Sequence, residues 1–360
     1  MAGWRENVRE VEPYVAGEQP KQTDMVKLNT NENPYPPSPK VQEALERTAA
    51  NILRLYPDPT ADELVTAIAD RYNVIKSQVF VGVGSDDVIA MAFLTFFNNP
   101  EKKPVLFPDI SYSFYDVWAE CFRIPYKTVP LNENFEICTE DYRQPNGGII
   151  FPNPNAPTGL AIGLDAIKEI LDANPDQVVI VDEAYVDFGT DSAISLLDNY
   201  ENLLVVQTFS KSRSMAGMRI GFAIGNEELI SCLMNVRNSF NSYTMNCTAI
   251  AMGAAAVRDE EYFRETTQKI IETREWAKKE LTALGFTYPD SKANFIFASH
   301  KSVAAEEIFR KLRERHIYVR YFNKPRINNY LRITIGTREE MQKLFDALKE
   351  ILGAYNGECQ

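Results

Sequence analysis

Six short apolar runs, rich in β-branched residues and separated by helical patterns, restrict this chain more than any other feature. They fall at residues 79–81, 105–107, 149–151, 178–181, 203–206 and 220–224. Several are apolar without interruption, which is the pattern of strands covered on both faces. Between them lie amphipathic stretches such as 86–97 and 164–173. Strands and helices in that alternation build a mostly parallel α/β sheet with helices on its faces. Ligands of such sheets sit beyond the carboxyl ends of the strands, so functional residues are expected just after the apolar runs.

The flanks read differently. Before Leu55 the chain is rich in asparagine and proline (Asn29, Asn31, Asn33, Pro34, Pro36, Pro37, Pro39), which predicts an extended arm. A helix over 38–53 follows, with Ser38 as its cap. Beyond residue 256 come a long charged helix (260–284), an apolar run at 294–297, a helix at 304–316, runs at 317–319 and 330–335, and a last helix at 338–352. That tail reads as a second, smaller α+β domain. The expected division is an arm at 1–34, a large domain at 35–256 and a small domain at 257–360.

Several function classes drop out on simple grounds. No apolar run reaches the roughly 18 residues of a membrane span. The opening Met1-Ala2-Gly3-Trp4-Arg5-Glu6 lacks a basic-then-apolar signal, so a cytoplasmic protein is expected. Cys121, Cys138, Cys232, Cys247 and Cys359 are scattered and His300 and His316 are the two histidines, a pattern of reduced thiols and no metal site. A net charge of −12 opposes nucleic-acid binding.

Four segments carry chemistry. Asp182 ends the run 178–181, where a carboxylate needs a cation or donors; it is either a helix cap or the partner of a protonated ring nitrogen, with Tyr185 beside it as a hydroxyl donor. Lys211, in Thr208-Phe209-Ser210-Lys211, follows the run 203–206; it is a solvated surface charge or a partly buried amine nucleophile. Arg219 stands eight residues later, placed to hold a phosphate. Gly82-Val83-Gly84-Ser85-Asp86-Asp87 forms a strand, turn and helix start suited to an anion. A dinucleotide reading, and with it a nicotinamide-dependent dehydrogenase, suffers because Asp87 occupies the place of the third glycine. Asn153-Pro154-Asn155-Ala156-Pro157-Thr158-Gly159 makes a rigid turn after 149–151, and Arg320 and Arg332 near strand ends could clamp a carboxylate or phosphate.

In this order the segments resemble the fold type I, or aspartate aminotransferase, superfamily of pyridoxal-phosphate enzymes. Within it the chain looks most like the histidinol-phosphate aminotransferase family, through Glu12-Pro13-Tyr14-Val15-Ala16-Gly17, Leu28-Asn29-Thr30-Asn31-Glu32-Asn33-Pro34, Tyr56-Pro57-Asp58, Val319-Arg320 and Leu331-Arg332-Ile333-Thr334-Ile335-Gly336-Thr337. The resemblance implies pyridoxal 5′-phosphate, a mostly parallel seven-stranded sheet, a smaller α+β domain and a homodimer. It implies that Lys211 condenses with the cofactor and moves the proton between Cα and C4′. Asp182 matches the partner of the pyridine nitrogen, Tyr185 the donor to O3′ and Tyr112 the ring that stacks on the cofactor. Ser85, Asp86, Ser210 and Arg219 match the phosphate site, and Tyr56 a tyrosine that reaches the phosphate of the neighbouring subunit. Tyr14, Arg320 and Arg332 match residues at the substrate's anionic end. The implied substrates are histidinol phosphate and glutamate or 2-oxoglutarate, in histidine biosynthesis. An aromatic-amino-acid aminotransferase and a threonine-phosphate decarboxylase are the same-fold alternatives. One position departs from the pattern: Ala156 stands where the family's turn has the asparagine that binds O3′, and Asn155, one residue earlier, takes that role if the turn is shifted.

Overall fold

A computed structural model describes residues 3–14, 18–20, 22 and 24–357, with side chains to residue 355. Val15-Ala16-Gly17 of the first arm motif, and Cys359, lie outside the described residues. The first strand, β1 (Val26–Leu28), leads to helices α1 (Pro39–Glu46) and α2 (Asp62–Tyr72). Next come β2 (Val79–Gly82), α3 (Ser85–Phe96), β3 (Val105–Pro108), α4 (Tyr115–Phe122), β4 (Tyr126–Val129), β5 (Ile149–Pro152), α5 (Leu164–Ala173), β6 (Val179–Asp182), β7 (Leu203–Thr208) and β8 (Gly221–Gly225). Helices α6 (Glu227–Phe240), α7 (Cys247–Arg258) and α8 (Glu260–Ala283) lead to β9 (Phe286–Thr287), β10 (Phe295–His300), α9 (Ala305–Glu314), β11 (Ile317–Tyr321), β12 (Leu331–Thr334) and α10 (Arg338–Gly357).

Strands β2 to β8 form one seven-stranded sheet in the order β2-β8-β7-β6-β5-β3-β4. Only β8 runs against its neighbours. The apolar runs alternate between two cores, as the two-residue period of a strand requires. Val179 and Val181 face α2, α5 and α7, whereas Ile180 points through the sheet to α3, α4 and α6. A continuous apolar run therefore serves two helical layers at once, the physical meaning of the pattern read from sequence. Edge strand β4 escaped that reading because Tyr126, Lys127 and Thr128 are exposed and only Val129 is buried.

The second sheet has the order β1-β11-β12-β10-β9. Here the structure revises the expected arm: Val26, Lys27 and Leu28 pair in parallel with Ile317, Tyr318 and Val319, so part of the arm is an edge strand of the small sheet. Three residues are too few to show a period in sequence. Helix α8 joins the two halves, and its buried Arg274 donates to the carbonyls of Phe188 and Ala293. One guanidinium thus ties the turn after β6 to the start of β10.

The helix expected over 38–53 ends at Glu46, and a separate 3-10 turn occupies Ala50–Arg54. Ile52, Leu53 and Leu55 are 37%, 62% and 56% exposed, so this stretch has no apolar face to hold it in a longer helix. The cap at Ser38 stands as read: its oxygen accepts from Lys40 N at 3.1 Å. Its hydroxyl donates to Asp259, which also pairs with Lys40 Nζ at 3.3 Å. Ser38→Ala is expected to cost about 1–2 kcal/mol and to lower the melting temperature by about 2–4 °C, checked by thermal denaturation.

Candidate active site

Strand register assembles the site before any side chain is considered. Pro152 pairs with Asp182 and Asp182 with Val206. Across the antiparallel strand, Gly221 pairs with both Thr208 and Gly82. Because β8 runs backwards, Arg219, two residues before its start, arrives where β2, β6 and β7 leave the sheet. These ends surround a cavity of ≈ 170 Å³, lined by Ser85, Asp86, Tyr112, Asp182, Tyr185, Ser210, Lys211 and Arg219 from the residues singled out in sequence. Thr30, Glu32, Ala156 and Thr208 line it as well.

Asp182 is 4% exposed. Its carboxylate accepts from Tyr115 Oη at 2.7 Å and from Ala184 N at 3.3 Å, and among the described residues no lysine or arginine pairs with it. Burial pushes its pKa up to about 6, against the lowering effect of the Tyr115 and Ala184 hydrogen bonds. A buried, unpaired carboxylate facing a cavity is suited to a cation that arrives from outside.

At the opposite wall is an anion cradle. Gly84 (φ 85°) turns the chain into α3, whose first N–H groups have no acceptor within the helix. A Cβ on Gly221 would lie 2.3 Å from Gly84 C and Ser85 N, so glycine is what lets β8 press against this turn. Arg219 donates to Asp86 at 3.0 Å and reaches Ser210 Oγ at 3.5 Å. Tyr112 donates to the other oxygen of Asp86 at 2.7 Å, which pins its ring at the cavity wall. Asp87 folds back to accept from Val83 N at 2.9 Å, filling the position that a third glycine would leave open.

Lys211 Nζ donates to the carbonyl of Thr30 at 3.1 Å and lies 5.8 Å from the centre of the Tyr185 ring. Asn31 Nδ2 donates to Tyr185 Oη at 2.9 Å, leaving the phenolic hydrogen free to point elsewhere. Asn31 is itself held by Thr334 and Asn294 of the small sheet. Asn33 donates to the carbonyls of Lys211 and Ser212. The arm therefore clamps the lysine turn from above.

The remaining candidates fall outside the lining of this cavity. Asn155 is buried, with Nδ2 given to the Ile110 carbonyl and Thr158 Oγ1 and with Oδ1 unpartnered, while Ala156 faces the cavity. Tyr56 is 82% exposed and packs on Tyr243 at 4.8 Å. Tyr14 stacks on Phe114 and, with Arg320, lines a second cavity of ≈ 590 Å³ bounded by the arm, residues 109–120 and the segment after β11. Lys211, Asp182 and Arg219 converge in the smaller cavity and not in this one. Arg332 donates to the Asn29 carbonyl at 3.1 Å, leaves Nε unpartnered, and is held below the ordinary arginine pKa by burial. It is the cross-strand partner of Arg320.

Sequence reasoning assigned no role to Thr30, Asn31, Glu32, Asn33 or Tyr115. The first four sat in plain view in the Asn-rich arm, but only the fold shows that this arm crosses the lysine turn. Tyr115 lies three residues after Tyr112, but its contact with Asp182 appears only in the fold.

The family model for aminotransferase class I and II matches residues 23–348. A histidinol-phosphate aminotransferase of Acinetobacter baumannii is 56% identical over 353 residues, covering 97% of each chain. One of Clostridium botulinum is 54% identical over 349 residues, covering 97% of this chain and 98% of the relative. Among solved structures, the Sinorhizobium meliloti histidinol-phosphate aminotransferase in complex with pyridoxal-5′-phosphate superposes with a TM-score of 0.83 at 23% identity, over 91% of each chain, a likeness of fold. With a family model spanning most of its length and such relatives matched nearly end to end, the chain belongs to the class I and II aminotransferases, in the histidinol-phosphate aminotransferase family.

Proposed function

We propose that this protein is a pyridoxal 5′-phosphate-dependent transaminase that moves an amino group from glutamate to imidazole acetol phosphate, giving 2-oxoglutarate and histidinol phosphate in histidine biosynthesis. The observation that carries this reading is the convergence of Lys211, the cation-free Asp182 and the Arg219–Ser210 cradle on one cavity. A phosphate monoester suits the cradle, and a protonated ring nitrogen suits the carboxylate. When bound, the cofactor supplies an aldehyde that condenses with amines and a ring that draws electrons from the bond being broken.

The protein's own residues do the rest. Arg219, Ser210 and the first turn of α3 anchor the phosphate. Asp182 holds a proton on the ring nitrogen, and Tyr185 donates to the ring's phenolate oxygen. Asn155, buried one residue from the cavity, completes that oxygen's partners if its amide turns inward. Tyr112 covers one ring face. Lys211 would provide the amine that meets the cofactor's aldehyde, and its Nζ, when free, would move a proton between the substrate's Cα and the cofactor's C4′. Arg320 and Arg332 stand opposite each other on paired strands and, among the described residues, neither has a carboxylate partner. Two such cations repel unless an anion joins them, so they and Tyr14 favour a substrate with a phosphate or carboxylate end. Tyr56, exposed in the single chain, supports a homodimer in which it completes the partner's phosphate site. No described helix is long and apolar enough to cross a membrane, and the net charge of −12 disfavours nucleic acid as a partner; a cytoplasmic location is part of this proposal.

Two outcomes test this. Kinetics with glutamate and imidazole acetol phosphate are expected to exceed those with phenylpyruvate, and Lys211→Ala to lower turnover by about three orders of magnitude or more; release of carbon dioxide would move the protein to the decarboxylase reading. The second concerns pH in the absence of cofactor. Burial raises the folded-state pKa of Asp182 to about 6, so the stability it contributes is full below about pH 4 and lost as pH rises through about 6. Asp182→Asn removes that loss. Its stability relative to the wild-type apoprotein should therefore grow between about pH 4 and 7, by at most about 3 kcal/mol, measured by urea denaturation. Glu183, raised to about 7 chiefly by its own burial, is present in both proteins and cancels. With cofactor the order should reverse, because the variant no longer binds it well.

A further inference from the structure

Tyr115 is fully buried at the first turn of α4, and its hydroxyl is the nearest donor to Asp182. Its ring stands edge-on to Phe107 at 5.7 Å and to Tyr112 at 5.8 Å, the latter ring being the one at the cavity wall. We propose that Tyr115 is a positioning residue of the reaction: its hydroxyl fixes the plane of the Asp182 carboxylate so that the remaining lone pairs face the cavity. A core aromatic of the same shape needs no hydroxyl, and a buried phenol without a partner is costly. Here the hydroxyl gives its hydrogen to a buried carboxylate with no lysine or arginine partner among the described residues.

The effect follows from where the donor sits. Asp182 has two donors, and Tyr115 is the shorter, at 2.7 Å against 3.3 Å for Ala184 N. A carboxylate with one short donor on Oδ2 cannot rotate about its Cβ–Cγ bond without breaking that bond in a dry environment. Segment 112–115 thus brings two pieces to the ring site from one turn, the stacking face through Tyr112 and the carboxylate's orientation through Tyr115. The other charged or titratable groups lining the same cavity are Glu32 in the arm, Asp86 on α3 with its partner Arg219, and Tyr112, Tyr185 and Lys211. None of these donates to its oxygens.

This inference rests on the reading of Asp182 given above, and its test separates the two. Tyr115→Phe keeps the ring and deletes the hydroxyl. In apoprotein, urea denaturation is followed against pH for wild type, Tyr115→Phe, Asp182→Asn and the double variant. The hydrogen bond favours the charged carboxylate, so its loss should move the wild-type midpoint near pH 6 upward by about one unit. That displacement should vanish on the Asp182→Asn background. These measurements need no cofactor, so they stand whether or not pyridoxal phosphate binds. In holoenzyme, Tyr115→Phe should slow the single-turnover reaction with glutamate about tenfold or more, at an unchanged dissociation constant for glutamate. An unmoved pH midpoint, or an equal displacement with Asp182 replaced by asparagine, would show that Tyr115 is only a packing residue.

Discussion

The organisation of this protein turns on one electrostatic constraint: a carboxylate at the end of a central, fully covered strand, paired with no lysine or arginine among the described residues. Asp182 sits at 4% exposure and relies on two neutral donors. Such a group is costly in the folded state unless a cation meets it. The fold meets that cost by opening a cavity on the same side, not by supplying an arginine. Next along the chain, Glu183 faces the opposite side of the sheet and is satisfied internally by Ser192, Ala193 and Gln207. Of two adjacent buried acids, one is closed off and one is left available.

Sheet topology converts this local feature into a site. Asp182 and Lys211 are far apart in sequence, yet β6 and β7 are hydrogen-bonded neighbours, so their exits lie side by side. The reversal of β8 then brings Arg219 to the same rim, against the glycine turn that starts α3. The turn after β6 and the lysine turn are stitched together by Ser212 donating to Asp187. Above them, Asn31 and Asn33 connect the small sheet and arm to Tyr185 and to the backbone at Lys211. The small sheet is therefore coupled to the lysine turn through hydrogen bonds to the arm, and not only through Arg320 and Arg332.

The central strands and α5 were legible because burial on both faces leaves an unmistakable composition. Strand β4 and β1 were not: one is exposed on an edge, the other is three residues long and gains its identity from pairing with β11. Lys211, Asp182 and Arg219 were legible as chemistry because each follows or precedes a readable strand. Tyr115 was not, because nothing in sequence says that a tyrosine in the first turn of α4 reaches a strand two places across the sheet.

The amino-acid sequence alone determined the layered α/β architecture, since a two-faced apolar strand has few ways to be buried, and it determined which residue types stand at strand ends. It also set the acidic net charge of the chain. Only tertiary structure decided which of those strand ends share a cavity, that Ala156 and not Asn155 lines it, and that the arm clamps the lysine turn. The reason is physical: strand identity follows from local composition, whereas convergence depends on strand order, direction and register, which are settled by the packing of distant segments.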